Sequence, residues 1–374
     1  MNQLCIRILF TASFIVCVLS CSKDNKKPQD TDVSQSVINI GMRMDSYDSL
    51  CPKFHISFIM LKENDETMFI DIDKVRFFNG NYYILDRSSA RKLVSFTSDG
   101  SPVGSYGRQG DGPGEYVFPW DMDVDSTGVY VLDTNSRKVI RYSHDGTFIN
   151  ESKLPFLADA LKRLLNGNFI FNIAPDGKAS PSLSITDPSG HILTSFCYYE
   201  DGYFGGCTTN NVFRETSDGI FYYRSPSDTL IKMDKNGNVI GRLFLDFMGK
   251  GISQIAKKDF LAFRRNEKNK SYLRLVDTPF FLSDSLLIGL VEDEKSLYTI
   301  ICDPVNNMCG SRKFTSNSSV YDIIEPLTSV GDSAVVSLMN EELAYRCRDY
   351  ATLPDSIKDS LKSGARILVL NTLN

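Results

Sequence analysis

The chain has 374 residues, with 41 Lys and Arg against 46 Asp and Glu, a formal charge of −5. Mild acidity without a basic cluster argues against nucleic acid as a partner, and only three histidines leave little for imidazole or metal chemistry. A hydrophobic content of 42%, with 17 Tyr and 24 Phe against one Trp, suits one large unit of stacked, aromatic-rich sheets.

Arg7 precedes an apolar run from Ile8 to Leu19. That run is too short to span a bilayer, so residues 1–20 are expected to be a secretion signal. Val18-Leu19-Ser20-Cys21 resembles a bacterial lipobox, with Leu19 bulkier than the usual occupant of its slot. The resemblance implies acylation of Cys21 and an outer-membrane protein, facing the periplasm or the surface, held by its lipid alone. Lys23-Asp24 is similar to the short charged export signals of Bacteroidetes surface lipoproteins. After Cys21, SKDNKKPQDTDVSQS is polar and lacks a core pattern. Residues 21–50 are expected to be a flexible tether, and residues 51–374 the folded domain.

FHISFIML, Phe54–Leu61, is an apolar strand ahead of any repeat. The repeats are clearest in GVYVLDTNSRKVIRYSHDGTFI, Gly128–Ile149, where apolar alternation is broken twice by turn residues. Turns at Asp99-Gly100 and Asp145-Gly146 lie 46 positions apart, and turn glycines at Gly190 and Gly237 follow after 44 and 47 more. Several short strands per mid-forties period predict propeller blades. The expected blades run Ile72–Tyr106, Trp120–Glu151, Leu161–Phe196, Asn211–Phe247 and Tyr272–Phe314. The sixth combines Val320–Leu338 and Ala365–Leu373 with Phe54–Leu61, which closes the ring and removes its open edges. Met248–Lys270 and Glu341–Ser363 have helical spacing and are expected to be two insertions, the second broken at Pro354. The fold expected is thus all-β, a six-bladed β-propeller closed by an N-terminal strand, with two short helical insertions.

VYVLDTNSRKVIRYSHDG resembles an NHL-type propeller repeat, through Asp133, Asn135, Arg137 and Gly146. The preceding repeat keeps Asp86 and Arg91 but lacks the Asn. GRQGDGPGEYVFPWD, Gly107–Asp121, is similar to a loop of the six-bladed β-propeller lipoproteins of Bacteroidetes. The resemblance implies a fold and a compartment, and no activity. NHL-like propellers include lyases and lactone hydrolases with a channel-bound divalent metal, which defines the enzymatic alternative.

Six cysteines fall in the folded part. In CDPVNNMC the turn Pro304–Asn307 places Cys302 opposite Cys309, a candidate disulfide in an oxidising envelope, with buried free thiols as the alternative. Cys51 with Cys347, and Cys197 with Cys207, are further conceivable pairs. No Cys/His spacing suits zinc, so no metal or cofactor is expected. His144 and His191 are expected at water-facing turns, and His55 on the closing strand. Asp121, Asp123 and Asp125 alternate, so they share one strand face that either lines the channel or is simply polar. They lack the Gly and closing Glu of a calcium loop. Asp86 and Asp133 recur once per blade, which marks them as turn-forming acceptors.

The loop Gly107–Trp120 is the candidate ligand site. Its glycines permit a tight path that presents Arg108, Gln109, Asp111, Glu115, Tyr116 and Trp120 on the disc face. Arginine with aromatics suits a sugar or a peptide. The competing reading is that the loop merely packs on the neighbouring blade. Tyr198–Gly206 and Asp259–Asn269 are two more aromatic, polar face loops that join it in a hypothetical cleft at the channel mouth. The expected function is a non-enzymatic envelope lipoprotein that recognises a glycan, a peptide or a partner protein. A metal-dependent propeller enzyme and a scaffold docking through the helical insertions are the alternatives.

Overall fold

A short strand with one apolar face gains stability only when other strands flank it and another layer covers it. The computed structural model, which describes residues 33–41, 47–205, 209–266, 272–282, 286–323 and 326–374, meets that need by wrapping small antiparallel sheets into a ring. The expected signal peptide, Cys21 and Cys207 lie outside the described residues. Ahead of the ring come β1 (Gln35–Asn39), α1 (Tyr47–Leu50) and β2 (Phe54–Met60). Blade one is β3 (Lys74–Phe78), β4 (Asn81–Asp86), β5 (Lys92–Thr97) and β6 (Pro102–Ser105). Blade two is β7 (Pro119–Asp125), β8 (Gly128–Asp133), β9 (Lys138–Tyr142) and β10 (Phe148–Lys153). Blade three is β11 (Ala158–Arg163), β12 (Phe169–Ile173), β13 (Pro181–Thr186) and β14 (Ile192–Tyr198). Blade four is β15 (Phe213–Thr216), β16 (Gly219–Tyr222), β17 (Thr229–Met233) and β18 (Val239–Asp246), followed by α2 (Gln254–Lys258) and α3 (Phe260–Arg265).

Blade five opens with a divided inner strand, β19 (Arg274–Leu275) and β20 (Phe280–Leu282), both paired with β21 (Leu286–Glu292). It continues with β22 (Leu297–Asp303) and β23 (Met308–Lys313). Blade six is β24 (Pro326–Val330), β25 (Ala334–Met339), then α4 (Glu341–Tyr345) and α5 (Asp355–Lys362), and finally β26 (Ile367–Leu373). Its outer strand is β2, antiparallel to β26 in unbroken register from Phe54↔Leu373 to Met60↔Ile367. The ring is therefore a six-bladed propeller sealed by its N-terminal strand.

The core is distributed in the same circular way. Tyr83, Leu85 and Leu93 of blade one meet Met122, Val131 and Ile140 of blade two. Equivalent clusters join each later pair of neighbours, and the last packs Ile59, Val336 and Leu368 of blade six against Val75, Ile84 and Phe96 of blade one. Each sheet is thus covered on both faces, as a propeller requires.

Two features depart from expectation. The supposed tether is structured over part of its length: β1 adds a fifth strand, parallel to β18, on the outside of blade four. Ile38 and Ile40 are buried there with Leu245 and Phe247, which supplies the apolar area that holds so short a strand. Helix α1 also precedes the ring, so the helices are not confined to the two insertions. Cys302 and Cys309 face each other across β22 and β23 with Cα atoms 4.0 Å apart, and their sulfurs are bonded. Cys51 and Cys347 belong to different packing clusters and form no disulfide with each other.

Candidate functional site

The Gly-rich loop owes its path to its glycines. Gly107 and Gly114 have φ of +68° and +72°, and a Cβ on Gly114 would sit 2.8 Å from the Phe148 ring. Through that contact the loop lies on blade two, where the Tyr142 hydroxyl donates to the Gly114 carbonyl at 2.8 Å. Tyr116, expected to meet ligand, is instead fully buried in the core between blades one and two. That corrects the sequence-based assignment: an aromatic beside glycines fills the space that the glycines leave open. Glu115 is held by the Gly112 N–H at 2.9 Å and by Arg108 at 2.7 Å, which keep its carboxyl below its ordinary pKa. Arg108, Gln109 and Asp111 remain exposed. Trp120 is partly covered by Phe118 and by the Arg87 guanidinium, 4.9 Å above its ring. Arg87 also reaches Asn210 at 3.3 Å, bridging from blade one to the chain that leads into blade four.

Asp133 and Asp86 are turn acceptors. Asp86 takes backbone N–H bonds from Ile70, Asp71, Ser89 and Ala90, and Asp133 takes them from Val117, Phe118 and Ser136. Among the histidines, His144 is not simply water-facing, because its ring stacks on Phe78 and hydrogen-bonds the Tyr83 hydroxyl at 3.1 Å.

Of the alternating aspartates of β7, Asp123 lines the cavity at one end of the channel and Asp121 is buried beside it, and cations from neighbouring inner strands meet both. Asp121 pairs with Lys74 and accepts from the Leu161 N–H at 2.9 Å. Asp123 takes Lys162 at 2.9 Å, the Arg163 N–H at 2.8 Å and Arg76 at 3.5 Å. Burial alone would raise the Asp123 pKa, but Lys162 and Arg76 outweigh it and hold the carboxyl below its usual value. Burial, with Arg76 close by, pulls the Lys74 ammonium down to about 8. No group of three or more His, Cys, Asp or Glu among the described residues is placed to hold a metal ion.

The other two face loops do come together. Phe204 N–H donates to the Lys258 carbonyl at 2.8 Å, and Gly205 bridges to Asp259. The Ser253 and Asp259 side chains cap α2 and α3, which fixes these short helices against the loop. Between them and the outer strands of blades three and four lies a cleft of about 270 Å³. Its floor is Tyr199, stacked on Tyr203 at 4.8 Å and donating its hydroxyl to the Ile173 carbonyl. Arg224 stands 5.7 Å above Tyr199 and is anchored by Asp159 at 2.8 Å. Lys257 pairs with Asp228 at 2.5 Å and Lys258 with Glu200 at 2.8 Å, so the rim carries charge of both signs. Burial keeps the Asp228 carboxyl above its ordinary pKa despite Lys257. Tyr198, Phe204, Ile255 and Leu261 are exposed on these loops and helices. Such a surface of tyrosine faces with paired charges is equipped to recognise a polar ligand. The hydrogen bonds and ring contacts described for Gly107–Trp120 stay within blades one and two, so that loop forms no part of this cleft.

The sequence did not reveal Asp228, Arg242 and Lys257 of the cleft, nor the cations Arg76, Lys162 and Arg214 of the channel cavity and Lys74 buried beside Asp121. A signal for the latter existed: cations alternate with apolar residues in KVR, and the first strand of every blade faces the channel.

No curated protein matches the chain. A protein of Bacteroides fragilis described as exported has a similar solved structure, at 19% identity and a TM-score of 0.73, over 91% of this chain and 100% of its own. A member of the DUF4221 family from Bacteroides vulgatus is similar at 10% identity and a TM-score of 0.55, over 86% and 98%. At those identities the likeness shows the fold. The model of the family described as "Domain of unknown function (DUF4934)" matches residues 54–360, from the ring-closing strand to the last helix, and the chain belongs to that family.

Proposed function

We propose that this propeller is an exported envelope protein that works as a recognition module, holding a glycan or a peptide segment in the cleft between blades three and four. The observation that carries the reading is the cleft itself: stacked Tyr199 and Tyr203, ringed by Arg224, Glu200 and Lys258, in a recess of about 270 Å³. Aromatic faces offer area at low entropic cost, and the charged rim sets orientation. The export signal in the sequence and the solved relative described as exported support the compartment. Acylation of Cys21 and outer-membrane anchoring belong to the same proposal. The metal-dependent alternative has no donor set among the described residues to build on. Exposed Phe204, Ile255 and Leu261 favour a second reading, in which the same rim docks a partner protein of an envelope complex.

A glycan array and a peptide library screened with the secreted domain test the reading. Tyr203→Ala and Lys258→Glu are expected to lower the binding found with the natural chain at least about tenfold, the equivalent of ~1.4 kcal/mol, while Arg108→Ala leaves it unchanged. Binding that survives both cleft substitutions and falls with Arg108→Ala and Trp120→Ala would return the site to the Gly-rich loop.

A further inference from the structure

The turns joining the first and second strands of each blade gather on the rim opposite the cleft. There the channel opens into a cavity of about 410 Å³, lined by Arg76, Asp123, Lys162, Arg214, Glu215 and Thr328 among others. Most of these charges satisfy one another. Lys162 bridges Asp123 and Glu215 at 2.9 and 2.8 Å, and Arg76 faces Asp123.

Arg214 is the exception. It is only 4% exposed, and its guanidinium lies 3.3 Å from the centre of the Phe280 ring. Nε donates to the Thr278 carbonyl at 2.5 Å, and Nη1 makes only a long contact of 3.5 Å with the Leu327 carbonyl. Nη2 is buried and has no hydrogen-bond partner. Asp277 is the carboxylate that most favours the charge, but its oxygens are turned to the Asn210 N–H at 2.8 Å and to Asn211. Arginine does not relieve burial by losing its proton. An uncompensated buried cation is destabilising, and an orphaned donor adds to the penalty. An anion delivered from the cavity removes both costs.

We propose that this channel cavity binds a small hydroxy-carboxylate of monosaccharide size. Arg214 lines the cavity and turns its guanidinium to receive the carboxylate, while Thr328 and the half-exposed Glu215 receive the hydroxyls. Charge selects among anions. With Lys162 and Arg76 already matched by Asp123 and Glu215, one cation remains for a single negative charge, and Asp332 on the same wall disfavours a dianion such as phosphate. The volume admits many waters, each with a share of about 30 Å³ in the liquid, and so has room for a sugar acid.

Calorimetric titration of the intact secreted chain in chloride-free buffer tests the proposal, with sodium glucuronate as probe and glucose, acetate and inorganic phosphate beside it. Glucuronate is expected to bind, with acetate at least about tenfold weaker, and with glucose and phosphate weaker still. Arg214→Gln should abolish glucuronate binding. Because that buried position risks misfolding, Thr328→Val is the companion variant, expected to weaken glucuronate several-fold without changing the melting temperature of the unliganded protein. Tyr203→Ala in the opposite cleft should leave the titration unchanged, so this site and the face cleft stand or fall separately. No glucuronate binding up to about 10 mM would overturn the proposal. So would phosphate or glucose binding as tightly as glucuronate, or unaltered affinity in Thr328→Val.

Discussion

Replacing Asp123 by Asn removes one negative charge from an almost fully buried carboxylate on the wall of the channel cavity. The side chain is 1% exposed and meets Lys162 at 2.9 Å, Arg76 at 3.5 Å and the Arg163 N–H at 2.8 Å. Breaking a buried pair from one side costs about 3–5 kcal/mol, because the surviving cation stays buried without its counter-charge. Two compensations place this case at the low end. Lys162 keeps Glu215 at 2.8 Å, and the Asn carbonyl still accepts from Arg163. The expected loss is therefore about 3 kcal/mol, or a fall of roughly 4–5 °C in melting temperature for a ring of this size. Urea unfolding at pH 7, followed by tryptophan and tyrosine fluorescence, measures it. The pH dependence carries a sign of its own. Lys162 and Arg76, working against burial, hold the Asp123 carboxyl below the unfolded value of 3.8. Its contribution is thus complete above that value and is lost only as the pH falls through the lower folded pKa. Asp123→Asn should therefore flatten the acid limb of the stability profile. A change under about 0.5 kcal/mol at pH 7 would mean that the channel ion network is solvated surface, and the reasoning would fail.

Further expectations follow from the ring. Gly114→Ala forces a left-handed residue and a Cβ 2.8 Å from the Phe148 ring, and should cost about 1–3 kcal/mol in urea, more than Gly202→Ala, whose Cβ meets open space. Joint replacement of Cys302 and Cys309 by Ser frees a turn whose ends lie seven positions apart. Loop entropy predicts a loss of roughly 2–3 kcal/mol, and natural protein under reductant should match the variant. Ile38→Ala empties a fully buried position between β1 and blade four, at an expected cost of about 2–4 kcal/mol. A urea midpoint in Ile38→Ala equal to that of the natural chain would be evidence against a docked β1.

How much of this was legible depended on how far the physics of each feature reaches along the chain. Turn chemistry is local, so Asp99-Gly100 and Asp145-Gly146 marked hairpins directly, and their spacing gave the blades. The seam was legible because FHISFIML had no partner nearby and ARILVL had none either. By contrast, β1 lies in a polar stretch, where VINI is too short to stand out from a linker; its strand exists only because β18 offers an edge. The channel network escaped because Lys74, Asp121, Lys162 and Arg214 are one strand position each, on four different blades. Tyr116 misled for a related reason: a loop aromatic is equally suited to a ligand and to a gap between blades, and only the packing of Tyr142 and Phe148 decides.

The seam between β2 and β26 also sets an order of events. As the chain lengthens from its N-terminus, Phe54–Met60 must wait for residues some three hundred positions later before it finds a mate. Early blades can pair within themselves, since hairpins close over short loops, while the circle stays open like an unfastened belt. A chain that crosses a membrane in extended form would lock only once its tail had arrived. Trimming a handful of residues from the C-terminus should therefore expose two raw edges at once rather than fray one.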